Sequence, residues 1–193
     1  NIPAGTELVV YTVAIETYDP ELFKRLQEQN IPIRSYPQML GLVSNDKYTI
    51  AIAGTHGKTT TTGMIAHMMR EAKLDPTVVI GSLLVGEKTN FIAGKSKYFI
   101  AEACEYRRSF LNVNPTVLVI TNIEADHLDY YKDLADIQNA FQELALKVPA
   151  DGFIVCDPDE ENIAPVLEGV KAKVIDVKEF MHKRKLMLPG DHN

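Results

Sequence analysis

Short apolar runs rich in β-branched residues recur along the chain, and the segments between them carry helical spacing. Residues 7–13 (Glu-Leu-Val-Val-Tyr-Thr-Val), Ile31–Ser35, Tyr48–Ala53, Thr77–Ile80, Tyr98–Ala103, Val117–Thr121, Phe153–Cys156 and Val174–Val177 read as strands. Asp19-Pro20 is a helix start, with Asp at the N-cap, Pro at the first position and Glu21 in the first turn. Leu22, Phe23 and Leu26 give that helix an apolar face to about Gln29. Met39-Leu40 sits in a further short helix, and a longer one runs from Lys58 to near Lys73. Its Met64, Ile65, Met68 and Met69 are predicted to fill core. Helices are also predicted over 137–146 and 160–167. Strands alternating with helices imply an α/β fold, a mainly parallel sheet flanked by helices with right-handed crossovers. The first β-α-β piece resembles part of a Rossmann-like unit without its opening strand and Gly-rich turn. Ser44-Asn45-Asp46 reads as a polar boundary after it.

The stretch Ala51-Ile-Ala-Gly-Thr-His-Gly-Lys-Thr-Thr-Thr-Thr62 has the grammar of a phosphate-binding loop. An apolar strand leads into a turn bracketed by Gly54 and Gly57, where the backbone can bring its N–H groups close to an anion. A helix then begins at Lys58, and its unpaired N–H groups and positive dipole end favour phosphate. Lys58 adds a point charge, and the Thr59 hydroxyl stands where such loops hold Mg²⁺. The general pattern wants a Gly six residues before the Lys, where Ile52 stands, so the loop is a shortened variant.

Composition narrows the class. The chain has 193 residues, 46% hydrophobic and 24% charged, as an ordinary globular protein does. A formal charge of -6 argues against a nucleic-acid or anionic-membrane binder, the run His182-Lys-Arg-Lys185 being a local exception. Cys104 and Cys156 lack metal or redox spacing and read as reduced core thiols, which suits a cytoplasmic location. No stretch is long and apolar enough to cross a membrane. Neither end reads as a natural terminus, so a fragment is expected.

In open α/β sheets ligands lie beyond the carboxyl ends of the strands. Three strand ends carry suitable chemistry: the loop with Lys58 and Thr59, the segment Glu102-Ala-Cys-Glu105, and Asn122-Ile-Glu-Ala-Asp-His-Leu-Asp129. Mg²⁺ prefers carboxylates, hydroxyls and substrate phosphates, which Glu102 and Thr59 fit. The imidazole of His127 suits a second metal or a phosphate contact. Asp126 and Asp129 read equally well as a solvated helix start.

At these residues the sequence resembles the Mur ligase family, ATP-dependent amide-forming enzymes of peptidoglycan precursor synthesis. Gly54-Thr-His-Gly-Lys-Thr-Thr60 is similar to the family's shortened loop, and Thr121–Asp129 and Leu188-Pro-Gly-Asp-His-Asn193 are similar to two further motifs. His56 and the form Asn-Ile-Glu-Ala-Asp-His most resemble the branch that joins L-alanine to UDP-N-acetylmuramate. The resemblance implies residues 1–44 as the end of a UDP-binding domain, 46–187 as a P-loop NTPase-like ATP-binding domain, and 188–193 as the start of a linker to a further domain.

Carried over position by position, the resemblance implies catalytic roles for Lys58, Glu102 and His127. Gly54, Thr55, Gly57, Lys58, Thr59 and Thr60 would bind the ATP phosphates, and Asn193 would approach the adenine. Thr59 and Glu102 would hold one Mg²⁺ and His127 a second, while His56 and Asn90 would lie near the muramoyl substrate. Two departures stand out: Cys104 replaces the family's Asp, and Gln142 stands near the place of a carbamylated Lys, so no carbamate is expected. The open alternatives are a murein-tripeptide ligase, a folylpolyglutamate synthetase-like ligase, or a nucleotide-binding module without catalysis.

Overall fold

The computed structural model describes residues 2–84 and 88–181. The chain opens with β1 (Val9–Tyr11), α1 (Ile15–Tyr18), α2 (Pro20–Gln27) and β2 (Ile33–Ser35), and β1 and β2 pair in parallel as a small sheet of their own. Asp19 caps α2 by accepting the Leu22 N–H at 3.0 Å, as the Asp-Pro signal requires. α3 (Tyr36–Asn45) starts at a capping box: the Ser35 hydroxyl accepts the Gln38 N–H, and the Gln38 side chain accepts the Ser35 N–H. The polar triplet at 44–46 is therefore a helix end. Ser44 is buried there, its hydroxyl donating to Gly41 O at 2.6 Å and accepting the Asn114 N–H at 3.0 Å.

The main sheet follows: β3 (Tyr48–Ala53), α4 (Lys58–Glu71), β4 (Thr77–Val79), β5 (Phe91–Ile92), β6 (Tyr98–Glu102), β7 (Val117–Ile120), α5 (Leu134–Leu146), β8 (Phe153–Cys156), β9 (Lys173–Asp176) and α6 (Lys178–Met181). Among the described residues the strand order is β5-β4-β6-β3-β7-β8-β9, parallel throughout except for β5 against β4. β3 lies between β6 and β7 with Ile52 level with both Glu102 and Val119, so the three strands end side by side. Every connection that leaves these ends enters the same space.

Alternation along β3 feeds two cores. Ala51 and Ala53 join the larger one, built with Phe110, Ile123, Tyr131, Phe141 and Leu144 under α5. Ile52 joins the smaller one with Ala66, Val78 and Ile100, against which Ile65 and Met69 of α4 pack. Ile52 is 0% exposed in the middle of that face. A Gly at this position would open a cavity, and the strand continues to Ala53 before the loop begins, which is why the loop is short.

Several expectations need correction. Met64 and Met68 are 49% and 58% exposed, because α4 turns Thr62 and Ala66 inward. The helix expected over 160–167 is a 3₁₀ turn, Ala164–Leu167, since Pro165 has no N–H for an α ladder. Cys104 is exposed, beyond the end of β6, while Cys156 is buried as expected. The strand expected over 7–13 shortens to three residues. The loop from Gly81 to Gly94 carries the edge strand β5, and Tyr106–Asn112 forms 3₁₀ turns. Asn193, the motif at 188–193, the basic run at 182–185 and Gly86 lie outside the described residues.

Candidate active site

The loop between β3 and α4 is tied to the end of β7 by backbone geometry. Gly54 has φ +140, and a Cβ there would collide with the Thr121 hydroxyl. Thr55 N–H donates to Asn122 O at 3.0 Å, and His56 N–H to Asn122 Oδ1 at 2.9 Å. The Thr121 hydroxyl donates to His56 O at 2.6 Å, and the Thr55 hydroxyl accepts the Glu124 N–H at 2.9 Å. Gly57, with φ +82, is the N-cap of α4 and carries no side chain to satisfy the first-turn N–H groups. That end keeps the partial positive charge and free donors that suit an anion.

Lys58 is folded back on its own loop. Its ammonium donates to Gly54 O at 2.6 Å and Thr55 O at 3.0 Å, and meets Glu105 Oε1 at 3.0 Å and Oε2 at 2.9 Å. Thr59 donates its hydroxyl to Glu102 Oε1 at 2.9 Å, and Gly81 N–H holds Glu102 Oε2 at 2.8 Å. Two contacts thus join the loop of β3 to the end of β6. Glu102 also helps to raise the Tyr36 phenol, though desolvation of that ring is the larger cause. Thr59 and Glu102 offer hard oxygen donors at the head of the phosphate loop, a set that fits a small divalent cation.

The third strand end supplies His127, itself in the left-handed region at φ 52. Its Nε2 lies 3.6 Å from Glu105 Oε1 and 4.0 Å from Asp126 Oδ2. The Tyr106 ring packs on the imidazole with centroids 4.8 Å apart, and the Tyr106 hydroxyl donates to Asp129 Oδ2 at 3.0 Å. Asp126 and Asp129 therefore belong to the site's scaffold as well as to its surface.

Glu105 is the residue that sequence reasoning passes over. It is only 3% exposed and touches both Lys58 and His127. Its backbone is pinned by the Tyr131 hydroxyl, which donates to Glu105 O at 2.5 Å; burial pushes that phenol's pKa strongly up. The available signal is its place in Glu102-Ala-Cys-Glu105, but the burial arises only when Lys58 arrives from the neighbouring strand.

Lys58, Thr59, Glu102 and His127 come together as expected, with Gly54, Thr55, Gly57 and Thr60 forming the loop and helix start around them. His56 is exposed beside them, its Nε2 3.8 Å from Glu124 Oε2. Asn90 stands just before β5, where its carbonyl accepts the Ile80 N–H at 3.1 Å. Gln142 donates to Glu168 O at 3.1 Å and so ties α5 to the turn after Leu167. Among the described residues no helix is long and apolar enough to cross a membrane.

Comparison with known proteins places this geometry. Residues 52–192 match the model of the Mur ligase middle domain. A UDP-N-acetylmuramate–L-alanine ligase from Clostridium tetani is 46% identical over 172 residues, covering 89% of this chain and 38% of its own length. This chain thus spans well under half of that relative. Among solved structures, the UDP-N-acetylmuramate:L-alanyl-γ-D-glutamyl-meso-diaminopimelate ligase of Neisseria meningitides aligns with a TM-score of 0.76 at 28% identity, over 89% of this chain and 58% of the other. UDP-N-acetylmuramate-alanine ligase from Thermotoga maritima aligns with a TM-score of 0.70 at 29% identity, over 83% of this chain and 37% of the other.

Proposed function

Because this chain belongs to the Mur ligase family, we propose that it is the ATP-binding centre of a ligase that joins L-alanine to UDP-N-acetylmuramate. The observation that carries the reading is the meeting of three strand ends: Lys58 against Glu105, Thr59 against Glu102, and Glu105 against His127. The 46% identity to the C. tetani ligase supports the choice of amino acid. Residues 1–44, 46–187 and 188–193 are read as the end of a UDP-binding domain, the ATP-binding domain and a linker.

In this reading the γ-phosphoryl group of ATP passes to the lactyl carboxylate of UDP-N-acetylmuramate. The L-alanine amine then attacks the acyl phosphate and releases phosphate. Such transfer needs in-line positioning and neutralised charge more than covalent help from the protein. Lys58 exchanges its carbonyl partners for phosphate oxygens, and the N-terminus of α4 takes the rest of the chain of phosphates. Thr59 and Glu102 would hold one magnesium ion and His127 a second, and the positive charge such ions supply would offset the repulsion between phosphate and carboxylate. His56, exposed at the loop tip, and Asn90 are read as lying near the sugar substrate, and Asn193 as approaching the adenine. Because Gln142 stands near the place of the carbamylated Lys, the reading includes no carbamate.

The likeness to the N. meningitides ligase favours one other reading, addition of a preformed murein peptide. Phosphate release by the ligase that carries this segment, with UDP-N-acetylmuramate and ATP present, separates them. L-alanine should stimulate release, and the tripeptide and glutamate should not. Stimulation by tripeptide alone overturns the assignment of the amino acid.

A further inference from the structure

Making an amide from an amino acid sets a demand that phosphate-binding groups do not meet. The incoming α-amino group is largely an ammonium at neutral pH, and a nitrogen without a lone pair cannot attack an acyl phosphate. On the way to the amide that nitrogen sheds two protons. The departing phosphate takes the second as its bond to the carbonyl carbon breaks. The first has to leave before the attack, and it needs a base.

Most titratable groups at the three strand ends are already engaged. Glu102 accepts from the Thr59 hydroxyl and the Gly81 N–H, and Glu105 is paired with Lys58. Asp126 Oδ1 accepts the His127 N–H at 2.7 Å, and Asp129 Oδ2 accepts the Tyr106 hydroxyl at 3.0 Å. The ring of His127 is assigned above to a cation. His56 differs from all of these. Among the described residues its ring nitrogens make no hydrogen bond, and the charged group that faces it is Glu124, with Oε2 3.8 Å from Nε2.

The backbone holds this pair together. His56 N–H donates to Asn122 Oδ1 at 2.9 Å, and His56 O accepts from the Thr121 hydroxyl at 2.6 Å and the Asn122 amide at 3.2 Å. The neighbouring Thr55, only 8% exposed, latches onto Glu124 twice. Its hydroxyl accepts the Glu124 N–H at 2.9 Å and donates to Glu124 O at 3.4 Å. Both main chains are therefore fixed side by side, while the two side chains, 67% and 60% exposed, stand free in front of the loop. Catalytic hydrogen bonds are often long until substrate arrives, so 3.8 Å suits a pair that closes on use. A carboxylate facing Nε2 favours the tautomer with its proton there, which leaves Nδ1 as the acceptor. The same carboxylate offsets the charge of the imidazolium that forms.

We propose that His56, backed by Glu124, is the base that takes the first proton from the amino-acid ammonium. The step rests on the ligase reading above, which also sets His56 near the substrate whose carboxyl is activated. Nδ1 takes the proton, and the freed lone pair bonds to the carbonyl carbon. The carbon–oxygen bond to phosphate then breaks with its electrons on the phosphate oxygen, and the second proton follows them. His56 returns its own proton to solvent.

The ligase that carries this segment, supplied with ATP, UDP-N-acetylmuramate and either L-alanine or hydroxylamine, tests the assignment. Hydroxylamine is already unprotonated at neutral pH, so its capture of the acyl phosphate as a hydroxamate needs no base. His56→Ala should lower ligation of L-alanine at least about tenfold more than hydroxamate formation. Glu124→Gln should bias the two products the same way by a smaller factor. The bias should shrink as pH rises and more L-alanine arrives as free amine. A His56→Ala variant that loses both products in equal proportion, or that keeps wild-type ligation of L-alanine at neutral pH, overturns the proposal. A bias that stays constant with pH overturns it too. Hydroxamate needs only the acyl phosphate, so its absence from wild type counts against the ligase reading instead.

Discussion

Gly54 shows how a single residue sets the shape of the site. Its φ of +140 lies where side chains are strained, and a Cβ would strike the Thr121 hydroxyl that holds His56 O. Gly54→Ala should therefore destabilise the protein by about 1–3 kcal/mol, read as a lower denaturation midpoint. A variant as stable as wild type would mean that the loop does not need this turn. Lys58, Thr59, Glu102 and His127 are legible in the sequence because each follows a recognisable strand and carries unusual chemistry for its place. Glu105 is not, since its importance comes from Lys58 and His127, which other strands deliver. Cys104 suggests core from the apolar run before it, yet that run says nothing of where the chain leaves the sheet, and the thiol is exposed.

At the scale of elements, the segment from Cys104 to Asn112 is the site's less familiar half. Its turns are fastened to α5 by Arg108, and Asp136 is the acceptor at the helix start. The Lys132 N–H, more than Arg108, holds the Asp136 carboxyl below its ordinary 3.8. A carboxyl depressed in the folded state adds stability that is complete above its ordinary value and fades as pH falls through the depressed one. Wild type should lose midpoint temperature more steeply than Asp136→Asn as pH drops below about 4. Parallel curves would show that this anchor does not respond to protonation. Strands and long helices are readable here from period and caps. β5 is not, being two residues long and defined by its neighbour β4, and Pro165 breaks a helix that apolar spacing alone suggests.

Over the whole molecule, the parallel alternation is visible in the sequence but the strand order is not, because pairing between non-consecutive strands leaves no local mark. That order matters, since placing β3 between β6 and β7 is what joins the phosphate loop to both acidic turns. The two cores hold it there, one through Ile52 and α4 and the other through Ala51, Ala53 and α5. Nucleotide bound at this junction should stabilise the entire fold, by about 2.7 kcal/mol at a hundred times its dissociation constant. The most direct measurement is calorimetric titration of the 193-residue chain with ATP and Mg²⁺, alongside Lys58→Ala. Wild type should bind one nucleotide per chain, and Lys58→Ala should bind at least tenfold more weakly. Absence of binding by the folded wild type, or equal binding by the two proteins, would contradict the placement of the nucleotide at the ends of β3, β6 and β7.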